Sequence, residues 1–194
     1  DGSTIKISNS KITTTGNNAG GIMTTGGGTT IASNLTVKTS GTSSAAIRSD
    51  RGGGTVKVNK GTYTTTGTGS PAIYCTSNTS VSNATLESKA SEGIVIEGKN
   101  SVTLKNTKLT ANNTKLSGKI TVDDVSSLNI KLTKKSSFTG TINSSKQEGT
   151  VKVTVEKGST WTLTGDSYVT SLTNNGTINT NGHTLYVNGV AYKG

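Results

Sequence analysis

An all-β solenoid is the fold class this sequence predicts, and three observations predict it. The first is composition. Thr (38), Ser (25), Asn (18) and Gly (25) make up 106 of the 194 residues, while hydrophobic residues are only 28%. An ordinary globular domain carries roughly 45–50% apolar residues, Gly included. The second is spacing: the apolar residues, mainly Val, Ile and Leu, recur singly at short intervals, and there is one Pro. Such regularity separates the chain from a disordered polar segment. The third is an internal repeat of about 24 residues. When each coil is buried by the next, a few β-branched residues per coil suffice for a core.

The repeat is carried by two series. Asn9, Asn34, Asn59, Asn83 and Asn106 follow short alternating segments such as Ile5-Lys6-Ile7-Ser8, Ile31-Ala32-Ser33 and Val56-Lys57-Val58. Ile22, Ile47, Ile73 and Ile94 form the second series, at the same period. Each period reads as one coil of three short strands, with apolar residues inward and polar residues outward. Turns fall at the Asn residues and at clusters such as Gly26-Gly27-Gly28 and Gly52-Gly53-Gly54. Two readings of the Asn series stand side by side: an amide ladder stacked from coil to coil at ~4.8 Å, or a corner whose left-handed backbone Asn tolerates.

Residues 3–110, with this Asn series and three strands per coil, resemble the right-handed parallel β-helix of pectate-lyase-type folds. The second half loses the Asn series from about Lys115. It then offers Trp161-Thr162-Leu163-Thr164-Gly165, followed by Leu172-Thr173-Asn174-Asn175-Gly176-Thr177-Ile178. That succession resembles the final coils of bacterial surface adhesins and autotransporter passengers. The expectation is a right-handed, single-stranded parallel β-helix of about eight coils, each about 20–26 residues long. It runs over residues 1–194 as one segment, with a possible change of coil type near 112–118. The missing initiator Met at Asp1 and the absence of a visible capping helix point to a piece of a larger protein, with neighbouring domains covering its ends.

Candidate chemistry is sparse. No stretch approaches the ~18 apolar residues of a membrane span. One Cys and one His leave no disulfide framework and no zinc ligand set. Cys75 and His183 lie about four coils apart, roughly 20 Å along the axis, which excludes a dyad. Cys75, two residues after Ile73, reads as a small buried side chain, and His183 as an exposed turn residue. Asp50 and Glu97 each follow a core Ile by three residues, so both point outward, two coils and ~10 Å apart. That is the outer limit for an inverting glycosidase pair. Asp123-Asp124 is an isolated pair, and no catalytic, metal or cofactor residues are assigned.

The same outward strip, with rows Met23, Arg48, Tyr74, Val95 and Thr25, Asp50, Thr76, Glu97, reads equally as a binding face or as a plain solvated surface. Its candidate ligand residues are Arg48, Asp50, Arg51, Tyr74, Glu97 and Lys99. The net charge is +10, from 18 Lys and two Arg. Lys without interleaved aromatics is not the pattern of a nucleic-acid reader. It suits attraction to anionic polymers, and it also discourages edge-to-edge strand pairing. Thr triplets such as Thr13-Thr14-Thr15 and Thr64-Thr65-Thr66 suggest an ice-binding ladder, but Lys38-Thr39-Ser40 and Glu87-Ser88-Lys89 interrupt it.

The sequence-level expectation is therefore a bacterial cell-surface or secreted, adhesin-like stalk. It would be monomeric, non-catalytic and flanked by other domains, and it would meet polysaccharide, host glycan or host protein. The alternative is a polysaccharide-binding or polysaccharide-degrading module on the same scaffold.

Overall fold

The computed structural model describes residues 2–98, 100–111, 119–122, 124–132 and 135–194. Position 112–118, where a change of coil type was expected, lies outside the described residues, as does Lys99. Among the described residues all regular structure is β. The strands fall into eight successive rows. The first holds β1 (Thr4–Ser8), β2 (Lys11–Thr14) and β3 (Ile22–Thr24), the second β4 (Thr29–Thr39) and β5 (Ile47–Ser49). The third holds β6 (Thr55–Thr65) and β7 (Ile73–Cys75), the fourth β8 (Asn78–Ser88) and β9 (Ile94–Ile96). Then come β10 (Ser101–Lys105), β11 (Lys108–Ala111) and β12 (Lys119–Val122), followed by β13 (Ser127–Leu132), β14 (Ser137–Thr139) and β15 (Thr141–Ile142). The last two rows are β16 (Thr150–Val155), β17 (Thr160–Thr162) and β18 (Ser167–Val169), then β19 (Ser171–Asn174), β20 (Thr177–Asn179) and β21 (Leu185–Val187). A short β22 (Val190–Ala191) folds back antiparallel on β21.

Every other pairing is parallel and joins one row to the next. The molecule is thus a parallel β-solenoid of about seven turns with three faces. The first face comprises β1, the leading halves of β4, β6 and β8, then β10, β13, β16 and β19. The second comprises β2, the trailing halves of those long strands, then β11, β14, β17 and β20. The third comprises β3, β5, β7, β9, β12 and β15, with β18 and β21 beyond.

Strict register is what builds the core. One inward column on the second face runs Ile12, Val37, Tyr63, Leu86, Leu109, Phe138, Trp161 and Ile178. Six of these eight are buried, the end residues Ile12 and Ile178 being half-buried. Two of its aromatic members stack: the Phe138 and Trp161 rings lie 5.6 Å apart, and the Trp161 indole N–H donates to the Gly140 carbonyl at 3.1 Å. The Ile series is a second column on the third face, in register from Ile22 through Ile47, Ile73 and Ile94 to Ile120 and Ile142.

The Asn corner combines both sequence readings and corrects the alignment. Left-handed backbone recurs at Asn9, Asn34, Lys60, Asn83, Asn106 and Lys135, and Gly158 continues the station. In the third row the station is therefore Lys60, one residue after Asn59, because the turn between β5 and β6 holds one residue more than the turn between β3 and β4. The amides still bond where neighbours allow: Asn34 to Asn9 at 2.8 Å, Asn83 to Asn59 at 2.8 Å and Asn106 to Asn83 at 2.6 Å. The ladder is exposed at Asn9, Asn34, Asn59 and Asn83. It organises a surface corner rather than satisfying buried amides.

A second corner does its work inside. Thr14, Thr65 and Ser88 turn inward, and their hydroxyls donate to the carbonyls of Ala19 (2.7 Å), Ser70 (2.6 Å) and Ser91 (3.0 Å). Ser44 and Ser70 hydroxyls reach one coil back, to Gly16 (3.0 Å) and Gly41 (2.8 Å). Gly67 sits where these backbones touch, and a Cβ there would meet the Gly41 carbonyl at 1.9 Å. The central members of the hydroxyl triplets thus serve this interior clip, while the outward column beside them runs Thr13, Lys38, Thr64 and Glu87, an interrupted ladder. Removing a buried hydroxyl that holds a carbonyl costs about 1–3 kcal/mol. Thr65→Val is expected to lower stability by about that amount in urea denaturation, whereas Thr64→Val, one residue away and outward, stays within about 0.5 kcal/mol. Equal effects at the two positions would contradict this register.

Candidate functional site

The third face carries the candidate residues because alternation along its three-residue strands leaves one outward side chain per coil. Register sets Met23 beside Arg48, Arg48 beside Tyr74, Tyr74 beside Val95 and Val95 beside Thr121. The inward neighbours Thr24, Ser49, Cys75 and Ile96 fill the interior as the sequence indicated.

The charged members pair with one another. Arg48 Nη2 lies 2.8 Å from Asp50 Oδ2, and Arg48 Nη1 donates to the Ser43 carbonyl at 3.3 Å. The guanidinium carbon stands 5.6 Å from the centre of the Tyr74 ring, within cation–π reach. The other Asp50 oxygen accepts from the Arg51 backbone N–H at 2.9 Å, and Arg51 takes φ +28° to allow it. The Arg48 hydrogen bond, opposed in part by burial and helped by Arg51, holds the Asp50 carboxyl below the usual range. Tyr74 is pushed up to about 12, first by burial and then by the Glu97 carboxylate that its hydroxyl faces. The structure thus brings Arg48, Asp50, Tyr74 and Glu97 into one network. Arg51 contributes through its backbone while its side chain is exposed.

This arrangement stabilises charge in place. A carboxyl with a lowered pKa is a poor general acid, and Asp50 is occupied by Arg48. Among the described residues no group of three or more His, Cys, Asp or Glu gathers to hold a metal. Cys75 is fully buried, its Sγ 2.7 Å from the Ser77 carbonyl, and burial raises its pKa. That is the opposite of a reactive thiolate. His183 lies in the turn closed by its N–H on the Thr180 carbonyl (2.9 Å), half-buried rather than exposed.

Beside Arg48 and Tyr74 lies an open groove of about 280 Å³ between Asn18, Ser43, Gly69 and Pro71. Arg48 Nε lies beneath the surface there with no hydrogen-bond partner among the described residues. Farther along the same face, Tyr168 and Tyr186 are in register and stack, ring centres 4.5 Å apart at 8°. Sequence reasoning missed this pair because its spacing, 18 residues, departs from the 24-residue period. Each of these rings has a neighbour against one face.

Comparison with family models, with curated proteins and with solved structures finds no match to this chain. Its class is accordingly defined by architecture: a parallel β-solenoid whose most featured outer strip is a self-paired Arg–Asp–Tyr–Glu cluster.

Burial pushes Tyr63 up to about 12 as well. Both phenols have raised folded-state pKa values, so their contribution to stability is complete below the ordinary Tyr pKa of about 10. It is lost as the pH rises through about 12. An absorbance titration is expected to show at least two of the five Tyr ionising only near pH 12, together with onset of alkaline unfolding. Five phenols all titrating near 10 would refute the placement of Tyr63 and Tyr74.

Proposed function

We propose that this chain is a non-catalytic, adhesin-like stalk of a bacterial cell-surface or secreted protein, and that its outer faces meet glycans or host surfaces. The observation that carries the reading is the division of labour between inside and outside. Apolar and hydroxyl side chains fill the inward columns over about seven turns, while the outward positions of the first two faces hold mainly small polar side chains and Lys. The best-developed polar cluster, Arg48–Asp50–Tyr74–Glu97, spends its charges on itself. A long, stiff rod suits display of a repeated surface. The resemblance of the terminal coils to autotransporter passengers supports an extracellular location.

A second reading, a polysaccharide-binding or polysaccharide-degrading module, is favoured by the groove beside Arg48 and Tyr74. The two are separated by incubation with polygalacturonate, watched for the absorbance of unsaturated products, followed by pull-down on insoluble glycans. The stalk reading expects no product, and product formation overturns it. Tyr74→Ala is expected to weaken glycan retention severalfold where the third face is the contact; unchanged retention removes that strip as a binding site.

A further inference from the structure

The Lys residues look scattered along the sequence, but the coils bring eight of the described ones to one face and its edge. Outward positions on the first face form three columns. One runs Thr4, Thr29, Thr55, Asn78 and Ser101, continuing with Ser127 and Thr150. Its neighbour contains Lys6, Lys57 and Lys152, and the third contains Lys105 and Lys131. Ser127 N–H donates to the Asn100 carbonyl at 3.1 Å, which carries the sheet from β10 to β13. Lys105 and Lys131 therefore stand in one column on successive coils, ~4.8 Å apart, with Lys152 on the next coil in the neighbouring column, and all five Lys are exposed. The adjoining corner adds exposed Lys60 and Lys135, both at the left-handed station, and exposed Lys157 just after β16.

Carboxylates are sorted the other way. None stands at an outward strand position of the first face. Asp50 and Glu97 follow third-face strands, Glu92 precedes one, and Asp166 precedes β18. Glu87 lies on the second face, Glu156 just past the end of β16, and Asp124 and Glu148 in the turns that lead into the first-face strands β13 and β16, where Glu148 pairs with Lys146. The ion pairs among the described residues are Arg48–Asp50, Lys89–Glu87 and Lys146–Glu148, and none uses a first-face Lys. Eight ammonium groups thus share one face and its edge mainly with Ser, Thr and Asn side chains, with Ile31 between Lys6 and Lys57, and with no carboxylate on its strands.

We infer that the first face, with its Lys60–Lys135–Lys157 corner, is the docking surface for a linear anionic polysaccharide laid along the solenoid axis. The inference rests on the glycan-contacting reading above and moves the contact from the Tyr74 strip to this face. Charge complementarity selects a polyanion. The surrounding hydroxyls and amides suit a sugar chain, whose own hydroxyls exchange hydrogen bonds with them. A nucleic acid fits less well: no aromatic stands at any outward position of this face to stack a base, and Lys supplies point charges rather than the Arg fork used to read base edges. Point charges suit a carboxylate or sulfate repeated along a chain. A row of ammonium groups also makes binding steeply salt-dependent.

The test uses the full chain and measures affinity for polygalacturonate, for a sulfated glycan, for a neutral glucan and for single-stranded DNA across a range of NaCl. The wild type is expected to bind the two anionic glycans more tightly than the neutral glucan or DNA. K105Q/K131Q/K152Q is expected to lower anionic-glycan affinity roughly tenfold or more at low salt. It should also reduce the slope of log affinity against log salt by about 2, at about 0.7 per lost contact. All three side chains are exposed, so an unchanged circular dichroism spectrum certifies the fold. K38Q/K108Q, on the second face, is expected to stay within about twofold. A triple variant within about twofold of wild type, an equal loss in the second-face control, or tighter DNA binding with the same Lys dependence each overturns the assignment. Loss of binding in Tyr74→Ala but not in the triple variant removes this inference and leaves the proposed function standing. Failure of the wild type to bind any anionic glycan sinks the inference, while a glycan retained regardless of charge still supports the stalk.

Discussion

Parallel, in-register hydrogen bonding between successive coils is the constraint from which the other features follow. Strands spaced ~4.8 Å apart place each residue directly above its counterpart, so every station must hold a residue that tolerates its own kind as a neighbour. Apolar side chains do so inward, and aromatic ones add to it where Phe138 stacks on Trp161. Asn does so at the exposed corner, where one amide donates to the next. Ser and Thr do so at the interior clip, because a hydroxyl can serve the carbonyl of its own coil or that of the coil before. Like charges tolerate it only in water, which is why the Lys residues stand on an exposed face.

The same constraint explains how little apolar mass the chain needs. A globular core of this size is enclosed on all sides by its own elements, whereas each coil here is covered above and below by its neighbours. At the ends that cover runs out: Ile5 is 56% exposed on the first coil. At the other end the chain reverses at Asn188-Gly189, and Tyr192 lies against the core with its hydroxyl 3.1 Å from the Asn174 amide.

The third face shows how a strip that looks reactive in sequence becomes quiet in space. Arg48, Asp50, Tyr74 and Glu97 were legible as one outward strip because Ile47, Ile73 and Ile94 fix the register. Their pairing was not, since it depends on rotamers that lay the guanidinium over the ring and against the carboxylate. The Tyr168–Tyr186 stack and the sorting of charge between faces were hidden for a related reason. Both require coil lengths, and the steps along the Ile12-to-Ile178 column range from 17 residues (Trp161 to Ile178) to 29 (Leu109 to Phe138). A fixed period drifts out of phase over such steps.

By itself the sequence determined the class of fold, the two repeating series and the inward place of Cys75. These follow from alternation and periodicity, which are local properties of the chain. Only the tertiary structure decided that Lys60 rather than Asn59 takes the left-handed corner, that the central hydroxyls of the Thr triplets clip the interior, and that eight Lys residues share one face and its edge. Those outcomes depend on how many residues each coil uses before it returns to the same station. That count is fixed by packing against the coil before it.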